Sequence, residues 1–424
     1  MNIEPYLRHM AKLGASDMFF TTGAPPSVKI QGVMQPMSKS ILEPGMVAKI
    51  ADAVMNEDQK AIFEEECEMN LGISMVDLGR FRVNIYMQRG ECSMVIRYIN
   101  SQIPNVEELN LPPVLHELVM HKTGLILLVG STGSGKSTTL AAMLNYRNHQ
   151  CANHILTVED PIEFTYTHAK SIVGQREVGI DTKSYQNALR EAMREAPDVI
   201  LIGEIRDRYT MESALSFADT GHLVLSSLHA VNSNQALDRI INFFPPEARN
   251  HILMDLSMNL RAIISQRLLV DVEQKRVPAV EVMINSTYIS ELIRKGELNE
   301  IKEIMTKSTD GGMQTFDSAL YELYAQGRIE KETALSNADS RTNLEWQMNF
   351  GKSGDNTPEY EPGMPGESKE GANGSGNGAA ATSSDSGDDD AELFENLTSN
   401  DSYDDPDADG FLDDLVDFDE SKVE

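Results

Sequence analysis

Residues Gly130 to Thr138 read G-S-T-G-S-G-K-S-T and follow directly on the apolar run Leu125-Ile126-Leu127-Leu128-Val129. Gly130, Gly133 and Gly135 let the backbone turn tightly, so that the N–H groups of Ser131, Thr132, Ser134 and their neighbours can ring a phosphate chain. Thr138 to Leu144 reads as the opening of a helix, whose N-terminus adds partial positive charge and unpaired donors. Lys136 is spaced to act as a point charge on β and γ phosphates, and Ser137 offers a hydroxyl to Mg²⁺. Strand, loop and helix in this order point to a nucleotide site.

Thr157-Val158-Glu159-Asp160-Pro161-Ile162-Glu163-Phe164 places three carboxylates within five residues after an apolar run. Beside a phosphate, such a cluster suits a general base that polarises an attacking water. Glu163, beyond the proline-stiffened turn, is placed to point back at the γ-phosphate. Val199-Ile200-Leu201-Ile202-Gly203-Glu204 is an apolar strand ending in a carboxylate, the expected place for a ligand of water or Mg²⁺. Gly203-Glu204 stands where an aspartate is usual. Mg²⁺ is then expected mainly on Ser137 and phosphate oxygens, with Glu204 acting through water.

His222 and His229 bracket another apolar strand and are candidates to sense the γ-phosphate. Neither has the spacing to Cys or Asp that zinc needs, so no zinc is expected. Arg176, and Arg190 with Arg194 on one helix, are candidates for stabilising charge in the transition state, in cis or from a neighbouring subunit. Arg82 and Arg97, on strands of the first domain, could reach a nucleotide lodged between domains.

The elements that must position these groups come in a readable order. Residues 1–100 read as a small α/β domain. In it, Arg80 to Tyr86 alternates polar and apolar as a half-buried strand, with Ser93 to Ile99 as its hairpin partner. Residues 101–123 read as a linker and a helix opened by Pro112-Pro113. From 124 to 285, the apolar strands Leu125–Val129, Ile155–Val158, Val199–Ile202 and His222–Ser227 alternate with helices. That is the pattern of an open, mostly parallel sheet covered on both faces, with phosphate chemistry at its strand C-termini. Residues 286–345 read as helices: Thr287–Lys295, Leu298–Thr306, Phe316–Ala325 and Glu330–Asn337. Residues 351–424 are rich in Gly, Ser, Asn and Asp and cannot bury enough apolar surface to offset chain entropy. A disordered acidic tail is expected there, with apolar islands at Leu393–Leu397 and Phe411–Phe418.

The 424-residue chain carries a formal charge of −30. Residues 351–424 hold 22 acidic and 3 basic side chains, a net of −19, which leaves −11 for residues 1–350. No basic tail or Lys/Arg run offers a grip on a nucleic-acid backbone, so no nucleic-acid partner is expected. Cys67, Cys92 and Cys151 are scattered, so neither a disulfide framework nor a tetrathiolate zinc site is expected. Each is expected to be a small buried hydrophobe. The N-terminus lacks a signal-peptide pattern, and the longest apolar run is far short of the ~20 residues of a membrane span. A soluble, cytosolic chain is expected, with any membrane role through a partner.

The four motifs together resemble those of the type IV secretion and pilus motor ATPases, over residues 1 to about 345. G-S-T-G-S-G-K-S-T is similar to their Walker A, and T-V-E-D-P-I-E-F to their Asp box. I-L-I-G-E-I-R-D resembles their atypical Walker B with Gly-Glu, and G-H-L-V-L-S-S-L-H their His box. Within that family the chain is most similar to the pilus retraction ATPases of the PilT/PilU family, since neither the long N-terminal module nor the four-cysteine zinc site of extension motors is seen. Ser16-Asp17-Met18-Phe19-Phe20, Ala188 to Pro197 and Arg239 to Pro245 look more like the PilU type than the PilT type. Tyr288 to Lys295 keeps only the Leu-Ile-Arg core of the C-terminal PilT signature.

The resemblance implies a PAS-like first domain, a RecA-like P-loop ATPase second domain and a homohexameric ring. It implies ATP and Mg²⁺ on Lys136 and Ser137, Glu163 as catalytic carboxylate, Glu204 as Walker B acid, and His222 and His229 as coupling residues. It further implies work on an inner-membrane pilus platform protein, at the cytoplasmic face of the pilus base, assisting a PilT-type retraction ATPase. Two other readings stay open at this point: a low-turnover nucleotide-binding adaptor docked on a PilT-type ring, and a RecA-like nucleic-acid motor.

Overall fold

The computed structural model describes residues 3–350 except 76–77, 100 and 308–309. The acidic stretch 351–424, with the islands Leu393–Leu397 and Phe411–Phe418, lies outside the described residues. Among the described residues the strands form two sheets, both within one compact unit.

The first sheet contains β1 (Asp17–Thr21), β2 (Ser27–Ile30), β3 (Val33–Pro36), β4 (Glu68–Met75), β5 (Gly79–Gln88) and β6 (Glu91–Ile99). Their order is β3-β2-β1-β6-β5-β4 and every pairing is antiparallel. Side chains alternate along β5 as a two-residue period demands. Phe81, Val83 and Ile85 are fully buried, while Arg80, Arg82 and Asn84 take the other face. The alternation Met69, Leu71, Ile73, Met75 marks β4, which the sequence reading passed over.

The second sheet contains β7 (Gly124–Val129), β8 (His154–Glu159), β9 (Ile172–Glu177), β10 (Val199–Glu204), β11 (Leu223–Leu228), β12 (Leu260–Val270) and β13 (Arg276–Ile284). The order is β13-β12-β7-β11-β10-β8-β9, parallel throughout except for β13, which runs antiparallel to β12. The central strand β7 is apolar and buried at every position because both faces of the sheet are covered. Leu125, Leu127 and Val129 of β7 pack into one core layer, with Ile200 and Ile202 of β10. Ile126 and Leu128, with Val199 and Leu201, pack into the layer on the opposite face.

The C-terminal part is helical as expected, with one more helix, Arg341–Phe350, after Lys331–Asn337. It packs on the ends of β12 and β13 through Phe316, Leu320 and Leu335 against Leu269, Val277 and Ala279. The Arg267 guanidinium lies 3.8 Å from the Phe316 ring centre and 2.7 Å from Asp339. Of the cysteines, Cys92 alone is buried. Cys67 and Cys151 cap the C-termini of the helices Glu57–Glu66 and Lys136–Gln150, where the chain turns outward.

Candidate active site

The loop after β7 wraps a cavity of about 590 Å³, a size usual for a small-molecule site. Gly135 is the N-cap of the helix Lys136–Gln150 and adopts φ +88°. A Cβ there would stand 2.7 Å from the Gln266 amide nitrogen, and one on Gly130 would stand 2.3 Å from Ser134 Oγ. Gln266, from β12, donates to the Ser134 carbonyl at 2.8 Å and accepts from Thr139 Oγ1 at 2.8 Å, so a buried side chain braces the loop from beneath. The buried Ser134 hydroxyl has no hydrogen-bond partner among the described residues. Lys136 Nζ donates to the carbonyls of Gly130 at 3.0 Å and Ser131 at 2.9 Å. These donors, clustered at a helix N-terminus, fit a phosphate chain. Gly135→Ala is expected to cost about 1–3 kcal/mol, since a left-handed backbone and a close contact are both violated. Urea unfolding checks it, and an unchanged midpoint would show that the loop yields freely.

The acids arrive from the neighbouring strand ends. Glu204 closes β10, where the register with β11 shifts between Ile202 and Glu204. A Cβ on the intervening Gly203 would lie 2.9 Å from Tyr185 Oη and 3.2 Å from Glu159 Cα. Gly203 therefore has no room for the usual aspartate, and the bulge turns the next residue to the cavity instead. Glu204 Oε1 lies 3.0 Å from His229 Nε2, and Oε2 accepts from Arg206 Nε at 2.8 Å. Burial lowers the Lys136 pKa and the nearby Glu204 charge opposes that shift.

Glu163 is exposed on the cavity wall, while Glu159 is buried. Glu159 accepts from Thr157 Oγ1 at 2.7 Å and Gln175 Nε2 at 3.4 Å. Burial pushes its carboxyl up to about 7, against the bonds from Thr157, Gln175 and the Glu163 backbone that favour the ionised form. Between its unfolded value and that pH the folded chain keeps a proton the unfolded chain has released, so stability falls as pH rises through the window. Glu159→Gln removes this titration. It is expected to be more stable than wild type near pH 8 by up to about 3 kcal/mol, and the gap should close below about pH 5. Urea unfolding at the two pH values measures it; an equal gap at both would exclude this titration.

The model for the family described as Type II/IV secretion system protein matches residues 1–337. The chain belongs to that family. It is 49% identical to the type IV pilus ATPase PilU of Pseudomonas aeruginosa over 356 residues, 84% of this chain and 93% of that protein. It is 40% identical to the retraction ATPase PilT of the same organism over 338 residues, 80% of this chain and 98% of that one. Among solved structures, that of the pilus retraction motor PilT with bound ADP superposes with a TM-score of 0.76. It is 42% identical and covers 81% of this chain and 99% of its own. This secretion-family chain is an ATP-hydrolysing enzyme with an α/β fold.

In this family member the nine loop residues and Glu163, Glu204 and His229 gather at one end of the sheet. The other candidates stand elsewhere within the single chain. His222 sits at the N-terminal end of β11, roughly 20 Å along the strand from His229, with Nδ1 3.0 Å from the Phe217 carbonyl oxygen. Arg176 lies on the edge strand β9 and pairs with Glu195 at 2.6 Å. Arg190 and Arg194 share Glu191 on an exposed helix face. Arg97 pairs with Asp17 at 2.7 Å, and Arg82 faces Glu177 at 3.8 Å. Arg82, Arg97 and Arg176 are each held by a tertiary carboxylate that the local sequence does not name. Sequence reasoning missed the cavity residues Arg206, Leu268 and Arg276 and the brace Gln266. Arg206, two residues beyond Glu204 in the same motif, carried the one available signal.

Proposed function

We propose that this cavity hydrolyses Mg-ATP in a motor that drives or assists retraction of a type IV pilus, the motion behind twitching motility. The convergence of Lys136, Ser137, Glu163, Glu204 and His229 on one cavity carries the reading. The loop N–H groups and the Lys136 ammonium bind the phosphates. Glu163 takes the proton of the attacking water, and the Glu204–His229 pair responds to the terminal phosphate. Mg²⁺, when bound, spreads the charge that develops on phosphate oxygens. Ser137 would hold it, with Glu204 acting through water; among the described residues no three His, Cys, Asp or Glu side chains gather at one point.

Segments 1–100 and 124–285 are the two domains proposed to move against one another on hydrolysis, with 101–123 as linker and helix between them and 286–345 as C-terminal helices. The motif resemblance supports a homohexamer that cooperates with a PilT-type ATPase and acts on an inner-membrane platform protein from the cytoplasmic side. Among the described residues no helix is long and apolar enough to cross a membrane. Purified chain, alone and mixed with a PilT-type partner, is expected to release phosphate from Mg-ATP and to run as a hexamer in light scattering. A chain that takes up no Mg-nucleotide in either sample overturns the reading. Turnover that rises with added DNA would replace the pilus motor with a nucleic-acid motor.

A further inference from the structure

Glu177 ends β9 opposite Glu159 of β8, and its side chain is 2% exposed. No step of hydrolysis uses it. Two arginines of the first sheet reach it: Arg80 Nη2 lies 3.4 Å from Oε2, and Arg82 Nε lies 3.8 Å from Oε1. Arg80 also stands 3.6 Å from Asp181, whose carboxylate accepts the Glu177 backbone N–H at 2.9 Å. The alternation of β5 puts both arginines on the face away from the core of their own sheet. Gly72 of β4 makes the room, since a Cβ there would lie 3.0 Å from Arg80 Nη2 and 3.3 Å from its Cζ. Among the described residues Arg80 Nε is buried without a hydrogen-bond partner, and the guanidinium is anchored by Glu177 and Asp181.

On the other side of β9 the neighbours of Glu177 hold the chain that follows β8: Gln175 Nε2 donates to the Phe164 carbonyl at 2.9 Å and the Val178 N–H to the Glu159 carbonyl at 2.9 Å, and the Ile162 backbone N–H favours the ionised form of Glu177. Ile162 is 3% exposed and directly precedes Glu163. The strand that carries Glu177 thus holds the loop that presents Glu163, and Glu177 is itself held by the first sheet.

We propose that Glu177 is a positioning residue that ties the orientation of the six-stranded sheet to the placement of the Glu163 carboxylate, through Arg80. The inference rests on Glu163 being the catalytic carboxylate. Moving the first sheet away would take both arginine partners from Glu177 and leave its charge without compensation. The Ile162 contact and the loop then have to adjust, and a displacement of about 1 Å at a reacting group can cost about 100-fold in rate.

The test measures kcat for ATP, affinity for a fluorescent ADP analogue and thermal unfolding in the full chain. The variants are Glu177→Gln, Arg80→Ala, their double, Arg80→Lys, Gly72→Val and Glu163→Gln. Glu177→Gln and Arg80→Ala are each expected to lower kcat roughly 5- to 150-fold, the usual span of coupling between sites. ADP affinity should stay within about twofold of wild type, since the loop after β7 is untouched. The double should be no slower than the slower single, because one linkage is cut in both. Arg80→Lys should recover part of the rate. Gly72→Val, which displaces the guanidinium without touching the second sheet, should match Arg80→Ala even where Glu177→Gln fails to fold. Losses that multiply in the double, singles with wild-type kcat, or ADP affinity falling in step with kcat would overturn the coupling. Full turnover in Glu163→Gln would overturn both the site assignment and the coupling. An inactive Glu163→Gln beside silent Glu177 and Arg80 variants would overturn the coupling alone.

Discussion

Lys136→Ala is expected to lower ATP turnover by at least about 10²–10³-fold, the loss seen when one preorganised donor to a developing charge is removed. The Lys136 residue is 8% exposed and opens the helix Lys136–Gln150, so its ammonium is fixed where the helix N-terminus already favours anions. In a partly dehydrated site the interaction of that charge with a phosphate is stronger than it would be in water. Burial also depresses the lysine pKa, while Glu204 opposes that shift and favours the charged form. The fold has little to lose from the change. Among the described residues Nζ makes hydrogen bonds to the carbonyls of Gly130 and Ser131 and to no side chain, and alanine suits the first turn of a helix. Nucleotide affinity should fall with turnover while the unfolding temperature moves by little. Phosphate release, binding of a fluorescent nucleotide and thermal unfolding measure the three quantities. Turnover within about twofold of wild type would remove this lysine from the phosphate site.

What could be read in the chain was what is local. The strand, loop and helix from Leu125 to Leu144 are contiguous, and their apolar run, glycines and helix opening all point to one structure. Glu163, Glu204 and His229 were legible because each ends a short motif after an apolar run, and parallel strands bring such ends to one edge. β9 was not legible, since Ile172-Val173-Gly174-Gln175-Arg176-Glu177 is a half-polar edge strand with no apolar run. β12 was not legible although Ala262-Ile263-Ile264 is apolar, because its place beside β7 depends on pairing with residues over a hundred positions away, and β13 takes its place only through its hairpin with β12. The arginines were the hardest. Arg97 and Arg176 look alike in sequence, and only the partners Asp17 and Glu195, set by tertiary contact, place them away from the cavity. Gly203 shows the reverse case, where an unusual residue in a strand end has a plain steric cause in Tyr185 and β8.

Glu163→Gln is the second large effect expected, a fall in kcat of about 10²–10⁴-fold, the usual contribution of a positioned general base. Three carboxylates stand together in the T-V-E-D-P-I-E-F stretch, and their surroundings assign them different work. Asp160 lies 3.5 Å from Arg206, which also holds Glu204. Glu159 is buried and already accepts from Thr157 and Gln175, so it has little freedom to receive a proton from water. Glu163 is exposed on the cavity wall, and the bonds of Gln175 to the Phe164 carbonyl and the Tyr166 N–H hold the chain beyond it. Glutamine keeps the size and one acceptor but cannot take the proton, so affinity for nucleotide should stay within a few-fold while kcat falls. Glu159→Gln, run beside it, should keep most of its turnover near pH 8, since the amide oxygen can still accept from Thr157 and Gln175. Pre-steady-state phosphate release separates the chemical step from product release in both variants. If Glu159→Gln proved inactive and Glu163→Gln turned over normally, the buried acid would be the base. The raised Glu159 pKa would then set the acid limb of the pH–rate profile.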